Sequence, residues 1–397
     1  MSAVLISFLG KQSRFDGGYR TASYRFPDGE VIETRYFARA LRRRLDPDRL
    51  VIFGTPSSMW DVLAEDCDAG SDLWAEVAEA VDRSAVDRPL LDRVADKVSA
   101  VWGCEVRLVL IPFGLDETEQ VAILNAMAEA ADGMARVHLD VTHGFRSLPM
   151  LALMAAFYLE VVRGLEIAGI HYGMFEAKDE DEEKRAPVVR LDGLLRFGRW
   201  IGALRQYEKD GDYSVFADLL AEAGVASAQR LREASFFERV FDPSRARGRL
   251  STVWAEFDGI DRETHPAAGM FVDTLRERIG WWREPSLAAN EWALAEGYFA
   301  RRDYPRAAQF AQEAVITRRI EACGEDPHDF ALRESIRKQL REENGAFRRL
   351  TDLRNQMTHG VRGSSDAVRR AMRDENSLRA ALGSIMRELA PRGDSAA

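Results

Sequence analysis

Histidine, cysteine and lysine are all scarce in this 397-residue chain, with six, three and six copies respectively. The three cysteines, Cys67, Cys104 and Cys323, lie far apart and form no C-x-x-C pair. That spacing argues against both a disulfide framework and a zinc site, and fits a reduced, cytoplasmic protein. Long apolar runs are missing too. The longest, Leu148–Leu159, has about 12 residues, too short to cross a bilayer, so no membrane association is expected. The opening "MSAVLISFLG" has neither a basic start nor a small-residue cleavage site, and no signal peptide is expected there. Positive charge is not in excess: the net charge is −10. A broad electrostatic platform for long nucleic acid is therefore disfavoured, whereas a small local site remains compatible. Nucleotide fingerprints are absent as well. No G-x-G-x-x-G follows the first apolar run, and G-x-x-x-x-G-K-[ST] occurs nowhere.

What is present divides into two grammars. Apolar runs at Val4–Leu9, Leu50–Phe53, Val106–Ile111, Val137–Val141 and Ile167–Met174 alternate with helical stretches at Tyr36–Leu45, Trp74–Val81, Leu91–Val101, Thr118–Ala130 and Leu148–Val162. Near-continuous apolar strands alternating with helices predict a parallel α/β sheet covered on both faces. "RTASYRFPDGEVIETRY" reads as an added hairpin turning at Pro27-Asp28-Gly29. "GIHYGMFEAKDEDEEKRAPVVRL" reads as two strands joined by an acidic, solvated loop, Asp179 to Glu183. From about Leu194 only helices follow, broken at Gly and Pro residues. The expectation is a Rossmann-like α/β domain over residues 1–192 and an all-α helical bundle over residues 193–397.

Two T-H-G-x-R copies stand out, "HLDVTHGFRSLP" and "LRNQMTHGVRG". The first sits between a strand and a helix, at the carboxyl end of a parallel strand, where open α/β sheets bind ligands. "FLGKQS", "FGTPSSMW" and "IPFGLDETEQ" leave the other strands through glycine and carry hydroxyls or amides. Together they suit a polar ligand rich in phosphates and rings. Thr142, His143, Arg146 and Ser147 are candidate contacts, while Asp140 could equally hold the turn together.

The second copy ends a helix. Phe347, Leu350, Leu353 and Met357 form an apolar stripe, and Gly360 is a good residue to stop it. Arg354, Asn355, Thr358 and His359 fall beside that stripe on an arc of about 140°. Imidazole moves protons near neutral pH and guanidinium braces a charged phosphorane, so the pair suits cleavage of a phosphodiester by its own 2′-hydroxyl, without a metal. R-x4-H alone should arise by chance about 0.7 times in such a composition, and about 0.01 times with Asn after the Arg. An Arg/His pair complementing the helix dipole is the plain structural alternative.

These residues resemble a known family. "LDVTHGFRSLP" is similar to the D-x-T-H-G signature of CRISPR-associated CARF–HEPN proteins, the Csx/Csm-type accessory ribonucleases, and "RNQMTH" is similar to the R-N-x-x-x-H core of HEPN ribonucleases. The resemblance implies a homodimer whose CARF domain binds a cyclic oligoadenylate, here expected to be cyclic tetra-adenylate. It implies a HEPN pair that, once switched on, cleaves single-stranded RNA without a metal and leaves 2′,3′-cyclic phosphates. It assigns Arg354, Asn355 and His359 to catalysis. To the ligand pocket it assigns Gly10, Lys11, Thr55, Ser57, Thr142, His143, Gly144 and Arg146. Two alternatives stay open: a sensor or scaffold with an inactive helical domain, and an added activity of the first T-H-G turn that degrades the ring.

Overall fold

Strand β1 (Ala3–Phe8) is buried along its length, and its one polar residue, Ser7, is buried with the rest. It occupies the centre of the N-terminal half. The remaining strands are β2 (Ala22–Arg25), β3 (Val31–Thr34), β4 (Arg49–Gly54), β5 (Glu105–Leu110), β6 (Arg136–Asp140), β7 (Glu166–Gly173) and β8 (Ala186–Arg190). The computed structural model describes residues 2–11, 21–181, 183–360 and 365–391. The sheet order is β3-β2-β8-β7-β6-β1-β4-β5. The five strands β5-β4-β1-β6-β7 run parallel, and the chain reverses its direction of travel across the sheet between β1 and β6.

Helices α1 (Phe37–Leu45), α2 (Trp60–Asp66), α3 (Ser71–Asp82) and α4 (Arg88–Trp102) cover one face of the sheet. Helices α5 (Glu117–Ala130) and α6 (Leu148–Val161) cover the other. Side chains alternate between the faces as the pleat requires: Leu5 and Leu50 meet α1–α4, and Val4, Ile6 and Val51 meet α5 and α6. Asp87 and Asp116 cap α4 and α5 through their carboxylates, which fixes where those helices begin.

Three features differ from the sequence reading. The sheet is mixed, not wholly parallel, because β8 pairs antiparallel with β7 and the β2–β3 hairpin joins beside β8. Helix α2 arises directly after Pro56-Ser57-Ser58, a stretch whose composition reads as loop. The acidic run is not all solvated: Asp181 is buried and holds Arg25 at 3.2 Å and Arg185 at 3.0 Å. An arginine on each side satisfies that carboxylate where water would otherwise be needed.

The chain divides into two compact units, Met1–Arg196 and Phe197–Ala397, the division falling within α7 (Asp192–Asp210). The second unit continues through α8 (Ala217–Glu222), α9 (Arg230–Arg239), α10 (Pro243–Glu256), α11 (Pro266–Arg278), α12 (Leu287–Ala300), α13 (Tyr304–Glu321), α14 (Phe330–Glu343), α15 (Gly345–His359), α16 (Asp366–Ala371) and α17 (Glu375–Leu389). Proline opens α10, α11 and α13, where its missing N–H costs nothing. One apolar cluster joins α7 through α11 around Phe216, Leu220 and Leu250. Another joins α12, α13, α15 and α17 around Phe310, Phe347 and Leu350. Each such fully buried side chain contributes roughly 1.5–3 kcal/mol relative to exposure. Among the described residues no helix is long and apolar enough to cross a membrane.

Candidate functional site

The ends of β1, β4 and β6 converge where the sheet changes direction. A side chain on Gly10 would lie 3.1 Å from the backbone nitrogen of Gly144, so the loops after β1 and β6 touch backbone to backbone. The Gly10 carbonyl accepts from Met59 N–H at 3.1 Å, and the Ser58 hydroxyl donates to the Leu9 carbonyl at 2.9 Å, which ties in the loop after β4. The loop after β5 arrives through Phe113, whose ring lies 5.6 Å from that of Phe145.

The first T-H-G turn is built on a buried polar layer. Asp140 is fully buried and accepts from the Ser7 hydroxyl at 2.7 Å and from the Thr142 N–H at 2.9 Å. Ser7 meets the Tyr36 hydroxyl at 2.8 Å, and Tyr36 also donates to the Phe8 carbonyl. Thr142 accepts the N–H of Gly173, joining the turn to β7. His143 is half-buried, stacked on Tyr36 at 5.4 Å, with its Nε2 accepting weakly from the first N–H of α1 at 3.4 Å. Burial pushes the Asp140 carboxyl above its usual range and the His143 imidazole below its own, while each pulls the other back toward charge. Beneath them, His138 Nδ1 and His171 Nε2 approach to 3.3 Å, and burial lowers both imidazoles to about 4.

What faces outward is the crest of the turn. Gly144, with φ +103°, Arg146 and Ser147 are exposed, and Lys11 is exposed beside them. The backbone N–H groups of Gly144, Phe145 and Arg146 donate to no acceptor among the described residues, nor does the Arg146 side chain. Consecutive free N–H groups with a nearby cation form a concavity suited to an anion. Gly10, Thr142 and His143 lie half-buried behind this crest. Thr55 and Ser57 are buried, their hydroxyls 3.3 Å apart, so in this conformation they brace the loop after β4. The rest of "GKQSRFDGGY" beyond Lys11 falls outside the described residues. Sequence reasoning missed Ser7 and Tyr36, although a serine within "VLISF" was a visible signal. It also missed the Phe113–Phe145 pair, whose rings flank the crest as stacking surfaces.

The second site lies on α15. Asn344 caps the helix by accepting from Ala346 and Phe347 N–H at 2.9 and 3.0 Å. Gly360, at φ +75°, ends it, with its N–H on the Gln356 carbonyl. Phe347, Leu350 and Leu353 are buried and Met357 is half-buried, which leaves Arg354 and Asn355 half-buried and His359 exposed. Arg354 donates its Nε–H to Gln312 Oε1 at 2.9 Å, and its terminal nitrogens donate to nothing among the described residues. Burial and the nearby Arg337 lower its affinity for a proton, with Glu313 opposing. Even so, guanidinium stays charged at any relevant pH. Among the described residues the Asn355 and His359 side chains are likewise without hydrogen-bond partners. Arg354 and His359 are five residues apart, about 7.5 Å along the axis, on an open surface.

Residues 4–175 match the family described as the CRISPR system endoribonuclease Csx1, CARF domain. The CRISPR-associated protein MJ1674 of Methanocaldococcus jannaschii is 27% identical over 264 residues, which cover 59% of this chain and 41% of that protein. The chain thus spans about two fifths of the length of the curated relative it matches. The matched segment includes β1, β4, β5, β6, β7 and the first T-H-G turn. The N-terminal unit thus carries, over residues 4–175, a CARF domain similar to that of CRISPR-associated proteins.

Proposed function

We propose that the first T-H-G turn senses a cyclic oligoadenylate and that the second belongs to an endoribonuclease site for single-stranded RNA. A CARF domain implies the sensing half. The crest formed by Lys11, Gly144 and Arg146, with free N–H groups for phosphates and Phe113 and Phe145 for rings, supports it. The ring is expected to be cyclic tetra-adenylate.

The observation that carries the catalytic half is the state of Arg354: held by one nitrogen, with its terminal edge unengaged among the described residues, and little more than one turn of the same helix away from an exposed His359. His359 takes the proton of a ribose 2′-hydroxyl, whose oxygen attacks the adjacent phosphorus. Arg354 braces the charged phosphorane with two parallel N–H bonds. The P–O5′ bond breaks and the leaving oxygen is protonated by imidazolium, which leaves a 2′,3′-cyclic phosphate and a 5′-hydroxyl. Asn355, beside Arg354, supplies an amide for a non-bridging oxygen or a ribose hydroxyl.

Two observations support a homodimer as the working unit. His359 is exposed among the described residues of one chain, too open to exclude water from a transition state. Helix α6 also leaves Met150, Met154, Tyr158 and Val161 exposed at three- and four-residue spacing, a single apolar stripe that a second copy would bury by symmetry. The ring then acts by binding one dimer arrangement more tightly than another. Incubating the protein with single-stranded RNA and cyclic tetra-adenylate, and analysing product ends, tests the reading. Products with 2′,3′-cyclic phosphate that disappear in His359→Ala support it; equal cleavage by that variant overturns it.

A further inference from the structure

Gln312 is an anomaly in α13. It is completely buried, on a helix whose neighbouring positions are Ala308, Phe310, Ala311, Ala314 and Val315, all in the apolar core. A buried amide is costly unless all its hydrogen-bonding capacity is used. Here both ends of the amide are engaged. Gln312 Nε2 donates to the Thr351 hydroxyl at 3.3 Å, and Thr351 donates onward to the Phe347 carbonyl at 2.9 Å. Since the Thr351 proton is committed to Phe347, its oxygen can only accept from Gln312. The amide is thereby oriented with Oε1 toward α15, where it takes the Arg354 Nε–H at 2.9 Å.

The consequence for Arg354 is geometric. Guanidinium is planar, and fixing Nε fixes the plane of the whole group. Its far edge, the two terminal nitrogens, then stays free and faces away from the anchor. That edge is the one that grips a phosphate with two parallel bonds. A carboxylate at position 312 would hold Arg354 equally well but would neutralise it, and an apolar residue would let it swing. An amide holds the group and leaves its charge for the substrate.

We infer that Gln312 is a positioning residue for Arg354: through the chain Phe347 carbonyl–Thr351–Gln312 it sets the plane of the guanidinium that meets the scissile phosphate. The inference rests on Arg354 acting in RNA cleavage, as proposed above. Gln312 itself touches no substrate. It acts only through Arg354, so its effect must vanish when Arg354 no longer has an Nε–H to hold.

The test is a double-variant cycle in the full-length protein, reading single-turnover cleavage of a single-stranded RNA with cyclic tetra-adenylate and, separately, cyclic hexa-adenylate. Gln312→Met keeps the volume and removes the acceptor; Thr351→Val keeps the shape and frees the amide to turn. In the otherwise natural chain, Gln312→Met is expected to slow the chemical step on the order of 10- to 100-fold at unchanged RNA affinity, and Thr351→Val a few-fold. In an Arg354→Lys background both should change the rate less than about 2-fold. Equal losses in both backgrounds, or no loss in either, would overturn the inference. A second readout needs no activity. Among the arginine Nε–H signals protected from exchange in labelled protein, one should be absent in Arg354→Lys and that same signal lost in Gln312→Met; its persistence in Gln312→Met overturns the inference even if that variant is inactive. Failure of the underlying reading looks different: Arg354→Lys would then cleave as fast as the natural chain.

Discussion

The same five-residue pattern occupies two physically opposite places. At Thr142–Arg146 it leaves a strand, stands on a buried layer of Ser7, Tyr36 and Asp140, and has its histidine stacked and half-buried. At Thr358–Gly360 it closes a helix, its threonine bonds back to the Arg354 carbonyl, and its histidine is exposed. Each glycine has positive φ, yet for different reasons. Gly144 lets the turn sit against Phe8 and Leu148, whereas Gly360 stops α15. Local sequence thus says little about the role of a histidine. What decides it is the element before the motif and what packs beneath.

The sharpest way to break that contrast is to exchange the fates of the two histidines. His359→Ala should lower RNA cleavage by about 10²- to 10⁴-fold and leave ring binding intact, as expected for loss of a proton-transfer group. His143→Ala should weaken ring binding or stability and recover cleavage at saturating ring. Calorimetric titration beside a cleavage time course reads both, and matching defects in the two variants would erase the distinction.

The glycines give the next largest effect. A side chain at Gly144 would meet Leu148 Cδ1 at 2.7 Å and Phe8 Cβ at 3.2 Å, in a backbone conformation that already disfavours it. Gly144→Ala should therefore destabilise by roughly 2–4 kcal/mol. A side chain at Gly360 meets nothing within 4 Å among the described residues, so Gly360→Ala should cost less, roughly 1–3 kcal/mol, all of it conformational. Urea midpoints of the two variants decide it, and equal shifts contradict the packing described.

The two units should also differ in how they respond to pH. His138 and His171 are lowered to about 4 by burial, so the folded N-terminal unit binds fewer protons than its unfolded chain below the ordinary histidine value of about 6.5. Their stabilisation is complete above that value and is lost as pH falls toward 4, on the order of a few kcal/mol. Asp140, pushed up by burial, works in the opposite direction and offsets part of the loss. In the helical unit, burial raises Glu238 to about 7 and Glu291 to about 8. Their contribution is present at low pH and is lost as pH rises through 7 to 8. Hydrogen exchange at pH 5.5 and 8.5 should show the N-terminal unit loosening in acid and the helical unit in alkali. His138→Asn with His171→Asn should flatten the acid side; a uniform response across the chain would contradict these burials.

Ser7→Ala should cost about 1–3 kcal/mol, through loss of the hydroxyl that satisfies Asp140. It should weaken ring binding and leave the Arg354 site untouched; a direct loss of cleavage at saturating ring would count against separate sites.

Much of this was legible in the sequence because it depends on periodicity. The five parallel strands, the strand–turn–helix setting of the first motif and the Phe347, Leu350, Leu353 stripe all follow from side-chain spacing. What was not legible depends on burial that spacing does not encode. Thr55 and Ser57 read as open loop hydroxyls yet are inside. Asp181 reads as solvated within an acidic run yet is enclosed by two arginines. Gln312 reads as an ordinary polar helix position, and only the packing of α13 against α15 reveals that it is enclosed and bonded to Arg354.

The most direct test of the central claim adds cyclic tetra-adenylate and cyclic hexa-adenylate separately to the protein and a fluorescence-quenched single-stranded RNA, with EDTA present. Cleavage with the four-membered ring, absent without it and absent in His359→Ala, is the predicted result. Ring binding without cleavage by the natural protein would contradict it, leaving a CARF sensor whose helical unit does something else.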